Sequence, residues 1–79
     1  MRLDKYLKVS RLIKRRTVAN EACDAGRVTV NDKVARASYD VKVGDVIALT
    51  LGRREVKVRV TAVVETVQKN DASTLYEVL

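Results

Sequence analysis

The chain contains no histidine, proline, tryptophan or phenylalanine, and it carries a single cysteine, Cys23. Without histidine there is no imidazole to act as general base, and one thiol can neither close an internal disulfide nor fill a structural zinc site. No carboxylate pair is placed to share acid and base roles, so an enzyme is the least favoured reading, and neither cofactor nor metal is implied. Cys23 falls with Val18, Ala19 and Ala22 on an apolar helix face, the setting of a buried and inert thiol. Long apolar runs are lacking too. Charges interrupt every stretch before it reaches the length of a secretory signal or the roughly 20 residues of a membrane span, so the expectation is a cytoplasmic protein without membrane contact.

With only three tyrosines as aromatics, the core must be built from Val, Leu, Ile and Ala. The 79 residues make one domain, 1–79, and a chain of this size buries only about 60% of the surface its unfolded form exposes. Such a core is thin. Its stability should be modest, and a large partner would add to it by mass action.

What is present in excess is positive charge, and it is unevenly placed. The first sixteen residues hold Arg2, Lys5, Lys8, Arg11, Lys14, Arg15 and Arg16 against Asp4 alone, which accounts for the whole net charge of +6. The other sixty-three residues balance nine basic against nine acidic groups. One reading is that these cations simply line the wet side of an amphipathic helix. A solvated face normally mixes signs, however, because like charges three or four positions apart on a helix repel. Repulsion of this kind is better explained by a polyanion that relieves it, so the N-terminal fifth has the form of a binding footprint.

Leu3, Tyr6 and Leu7 recur at helical spacing, which predicts a first helix interrupted near Ser10. From about Arg15 to Ala25 the residues Val18, Ala19, Ala22 and Cys23 predict a second helix, and Gly26 stands where a left-handed C-terminal residue is needed. Its first turn is expected to carry Lys14, Arg15 and Arg16. That is the wrong sign for the helix dipole but suits a phosphate beside exposed N–H groups. The period then changes to two. Val28 and Val30 predict a strand, Asn31 and Asp32 a turn, and Val34 the start of a return strand. Val41 and Val43 lead to a turn at Gly44 and Asp45; Ile47, Leu49 and Leu51 then mark a strand closed by Gly52, Arg53 and Arg54. Val56, Val58, Val60 and Ala62 alternate with Lys57, Arg59 and Thr61 in the clearest strand, and a loop at Asn70 to Ser73 precedes a last strand at Leu75 to Leu79. The fold class is α+β, with two N-terminal helices packed on a small, mostly antiparallel β-sheet.

The spacing from "RLDKYL" through "RRTVANEACDAGRVTVND" to "VKVGDVI" resembles the S-four, or alpha-L, RNA-binding domain family. Arg16, Ala19 and Gly26 match its helical core. Val28, Val30 and Asn31 match its "VxVNG" hairpin, with Asp32 in place of the glycine and Arg15 where the family often has Ser or Thr. The motif core spans about residues 2–51, and strands at 54–79 complete the domain. The patterns "RLDK", "KVSRLIKRR" and "DVKVGD" are similar to the free-standing RqcP (YabO) type, which is related to the heat-shock protein fifteen family. That resemblance implies a bacterial protein on the large ribosomal subunit, contacting rRNA and tRNA. There it would support the Ala-tailing factor RqcH in ribosome-associated quality control and be monomeric off the ribosome.

By this resemblance Arg2 and Arg16 are the first candidates for RNA contact, with Lys14 and Arg15 beside them and Lys5, Lys8 and Arg11 in a second rank. The competing roles are helix-end solvation for Arg2 and a salt bridge to Glu21 or Asp24 for Arg16. Arg27, Lys33 and Arg36 extend the basic surface along the hairpin, and Tyr39 lies in a loop from which it could stack on a base; Tyr6 reads as core. No array of aromatics exists to read splayed bases, so recognition is expected through shape and backbone. The rival functions are rescue of dissociated large subunits in the manner of heat-shock protein fifteen, and a basic adaptor for an acidic protein.

Overall fold

The computed structural model describes residues 1–64 and 75–79. The expected loop at Asn70 to Ser73 lies outside the described residues. Helix α1 (Leu3–Val9) buries Leu3, Tyr6 and Leu7 on one face. The N-cap residue Arg2 makes no side-chain cap bond, and backbone carbonyls serve the first two amides: Leu3 N–H donates to Tyr39 O at 2.8 Å and Asp4 N–H to Ala37 O at 3.2 Å. The helix stops where expected. Ser10 is its C-cap, fully enclosed, with its hydroxyl donating to the Leu7 carbonyl at 3.3 Å.

Helix α2 (Arg16–Asp24) packs against α1 and ends in a Schellman arrangement. Gly26 has φ 75°; its N–H donates to Cys23 O and that of Arg27 to Ala22 O, both at 3.0 Å. Only a residue without Cβ takes this left-handed conformation at no steric cost. Ala19, Ala22 and Cys23 face the core as expected, but Val18 does not: it is 44% exposed. The buried stripe of this short helix is narrow enough that small residues fill it, and Val18 falls just beside it.

The strands are β1 (Val28–Val30), β2 (Lys33–Val34), β3 (Val46–Leu51), β4 (Arg54–Val60) and β5 (Tyr76–Val78), ordered β2-β1-β3-β4-β5 with every pair antiparallel. Asn31 and Asp32 link β1 to β2 with φ of 53° and 69°, the type I′ geometry that follows the twist of a hairpin. The Asn31 side chain also clamps the start of β3, accepting from Val46 N–H at 3.0 Å and donating to Asp45 at 3.1 Å. Between β3 and β4 the two-residue loop opens with Gly52 at φ 62°. Strand β4 begins two residues before the alternating valines and stops at Val60, ahead of Ala62; the last strand is shorter than Leu75 to Leu79 because Leu75 is turned into the core.

Leu3, Tyr6, Leu7, Ile47, Leu49, Val58 and Leu75 form the centre of one aliphatic core beneath the helices. Cys23 belongs to it at 2% exposure, and burial, helped by the nearby charges of Asp4 and Asp24, pushes its thiol up to about 11. At pH 8 a maleimide should therefore leave the native protein unmodified and label one thiol per chain once urea is added. Rapid labelling of the folded protein would contradict this placement.

Candidate nucleic-acid interface

The two helices and the turn between them carry the basic run, and six of its seven cations are exposed: Arg2, Lys8, Arg11, Lys14, Arg15 and Arg16. Lys5 is half-buried. Arg2 is the N-cap of α1, and its guanidinium turns back onto Asp4, with Nε 3.2 Å from Oδ1 and Nη2 3.4 Å from Oδ2. Arg16 opens α2 and reaches the same carboxylate, Nε to Oδ2 at 3.4 Å. Asn20, one turn further along α2, donates to that oxygen at 3.3 Å, and the Lys5 amide donates to Oδ1 at 2.8 Å.

Asp4 is thus the partner of Arg16, and the bridge to Glu21 or Asp24 named as its competing role is not the one formed. The reason is directional. Helical side chains lean toward the N-terminus, so a residue at the first position of α2 points away from carboxylates five and eight places ahead and toward α1. The Asp4 side chain is only 3% exposed, while those of Arg2 and Arg16 are 51% and 47% exposed. Burial on its own would raise the pKa of Asp4. Hydrogen bonds from Asn20, Arg2 and Arg16 and from the Lys5 amide outweigh it and hold the group below its ordinary 3.8, so it is an anion at neutral pH. One anion shared by two guanidinium groups leaves a positive site.

Lys14 and Arg15 stand just ahead of the first turn of α2 and not within it. Arg15 is the N-cap, its side chain makes no cap bond, and no acidic residue occupies the first turn. Both cations still flank the helix start, whose first N–H groups have no partner within the helix itself. Lys8 sits in the last turn of α1, where its sign suits the dipole. Arg11 follows with φ 63°, a left-handed conformation that costs a residue with a Cβ about 1–2 kcal/mol. Glycine would fit better, so a cation held there at that cost suggests a use for the charge. Arg11→Gly should raise the melting temperature by several degrees while weakening RNA binding and lowering its salt slope by about 0.7–0.9. A variant that gains stability and binds as before would remove Arg11 from the interface.

The second group of candidates lines two other hollows. Lys33, Arg36 and Tyr39 line one open groove with Asn31 and Ser38, and Arg27 borders a shallow depression with Val18, Ala25 and Leu51. Tyr39 is half-buried. Its hydroxyl donates to Asp45 at 3.0 Å and its carbonyl caps α1, so it is part of the frame whatever its ring also meets. Asp4 and Asn20 escaped the sequence reading. The available signal was slight: a single acid two places after Arg2, and an amide four places after Arg16. Among the described residues no group of side chains could hold a metal ion, and no helix is long and apolar enough to cross a membrane.

Comparison with known proteins agrees with this architecture. Residues 1–47 match the family model of the S4 domain. The chain is 60% identical over 78 residues to the RQC P-site tRNA stabilizing factor of Halalkalibacterium halodurans, covering 99% of this chain and 89% of that protein. It is 49% identical to the protein of the same name from Bacillus subtilis, covering all of this chain and 92% of the relative. Among solved structures, the trimeric structure of Vibrio cholerae Heat Shock Protein 15 superimposes with a TM-score of 0.93 at 29% identity, over the whole of this chain and 81% of that one. The expected α+β fold and the family resemblance are both borne out. With its helices and hairpin where that resemblance requires them, this chain belongs to the S4 domain family and is similar to relatives that bear the name RQC P-site tRNA stabilizing factor.

Proposed function

We propose that this chain binds rRNA of the large ribosomal subunit together with the P-site peptidyl-tRNA in ribosome-associated quality control, and that it supports Ala-tailing of stalled nascent chains by RqcH. It acts in the cytoplasm as a monomer that joins the ribosome, and it contributes no catalytic step of its own. The observation that carries this reading is the pair Arg2 and Arg16, brought from two helices onto one buried carboxylate, in a sixteen-residue run of seven cations and a single acid. Arginine presents a planar fork that can take two phosphate oxygens, which a lysine cannot. Lys14 and Arg15 join them at the start of α2, Lys5, Lys8 and Arg11 extend the surface along α1, and Arg27, Lys33, Arg36 and Tyr39 are secondary contacts.

The names of relatives at 60% and 49% identity support the tRNA-stabilizing role over large-subunit rescue, since the heat-shock protein is the more distant match at 29%. Titration of purified large subunits carrying peptidyl-tRNA with the labelled protein tests the electrostatic part. With about six phosphates neutralised, the logarithm of the binding constant should fall with log salt at a slope of about 4 to 5. A slope near one would sink the footprint. Co-sedimentation from extracts should depend on subunits that carry peptidyl-tRNA and should be lost after nuclease treatment. Association that survives nuclease would favour the protein adaptor.

A further inference from the structure

We infer that Asp4, supported by Asn20, is a positioning residue for RNA binding: it holds the Arg2 and Arg16 guanidinium groups side by side as a preformed phosphate clamp. The inference rests on the proposal that this face meets RNA. An acid in the middle of a cationic surface should, by charge alone, weaken attraction to a polyanion. Burying it adds a desolvation cost. A feature unfavourable on both counts needs a compensating use, and the geometry supplies one.

Arg2 and Arg16 come from the starts of different helices, and two adjacent guanidinium groups repel each other. Asp4 lies between them with every polar atom engaged: Oδ1 takes the Arg2 Nε and the Lys5 amide, and Oδ2 takes the Arg2 Nη2, the Arg16 Nε and the Asn20 Nδ2. Arg16 reaches the carboxylate through its Nε, and its side chain is 47% exposed, so the contact to Asp4 does not engage its two terminal amino groups. Thr17, Asn20 and Glu21 complete the walls of the shallow depression that Asp4 and Arg16 share. Arginines already fixed in orientation lose less rotamer freedom when the phosphates arrive than unrestrained ones do. Asn20 acts one step further back, fixing the oxygen that Arg16 uses.

The two effects of Asp4 predict opposite results, which makes the inference decidable. Asp4→Asn raises the net charge; if charge alone matters, binding to purified large ribosomal subunits strengthens and its salt dependence between about 50 and 200 mM steepens. If Asp4 positions the clamp, affinity falls by about tenfold and the slope drops by about 1.5, the share of two phosphate contacts. Asn20→Ala should move both readouts the same way and less far, at a helix position where alanine is well accepted. In an Arg2→Ala/Arg16→Ala background, Asp4→Asn should cause no further loss, whereas a merely structural role would cost the same in both backgrounds. Thermal melts accompany each variant, and if Asp4→Asn unfolds, the Asn20→Ala result decides. Binding by folded Asp4→Asn as tight as wild type or tighter, while the arginine variants lose affinity, overturns the inference and leaves the RNA-binding proposal standing. Wild-type protein that fails to bind large subunits carrying peptidyl-tRNA defeats both.

Discussion

Replacing Arg15 and Arg16 together with alanine should lower affinity for large ribosomal subunits by about two orders of magnitude and leave the circular dichroism spectrum unchanged. Charge-assisted hydrogen bonds contribute about 1.5–3 kcal/mol each, and each tenfold in affinity corresponds to about 1.4 kcal/mol. Two arginines at the start of α2 therefore suffice for an effect of this size. The fold should tolerate the change. Arg15 makes no cap bond, and Arg16 is half-exposed and one of several donors to Asp4, which keeps Arg2, Asn20 and the Lys5 amide. Only the Arg16 end of the pair is open to water, and the donors that remain on Asp4 keep that carboxylate from being left buried without a partner. Arg16→Lys refines the test, because it keeps the charge and loses the fork; affinity should fall between wild type and alanine. Loss of the native spectrum in the double variant would identify these residues as structural.

Tyr6→Ala should unfold the domain or nearly so. The side chain is wholly buried, and its hydroxyl donates to the Leu75 carbonyl at 2.7 Å. Truncating a large buried aromatic costs about 3–5 kcal/mol, against a total stability of about 4–12 kcal/mol for a chain of this length. Tyr6→Phe keeps the ring and removes one hydrogen bond, for about 1 kcal/mol. The two variants also separate in alkali. Burial first, and the nearby Tyr76 second, raise the pKa of Tyr6 above its ordinary 10.0 in the folded protein. A group whose folded pKa is raised contributes stability that is complete below the unfolded pKa and is lost as pH climbs beyond it. Wild-type stability in urea should therefore decline above about pH 10 more steeply than that of Tyr6→Phe. Parallel curves would place the hydroxyl in water.

The elements that could be read from the residues are those governed by local chemistry. Gly26 at the end of α2, the Asn31–Asp32 turn and the alternation through β3 and β4 each follow from what a few neighbouring side chains permit, and each is observed. Cys23 was correctly placed in the core for the same reason. Val18 was misplaced because helical periodicity locates a stripe without its width. From the sequence only Glu21 and Asp24 compete as partners for Arg16; that Asp4 is the partner depends on how α1 and α2 pack, and nothing within either helix encodes that. Positive charge in the first sixteen residues was plain from counting. That an acid buried among the cations organises them required the tertiary arrangement.

The Leu75 carbonyl accepts from the Tyr6 hydroxyl and from the amides of Thr61 and Ala62, across a separation of 69 residues in the first case. During synthesis, the helix that Arg2 caps and that bears Lys8 must therefore wait for a group made 69 residues after Tyr6 before its buried side is complete. An incomplete copy lacking that residue would carry the full set of cations on an unsettled scaffold. Premature termination should yield a poor competitor for ribosomal sites, because the positive charge would be present but not yet arranged.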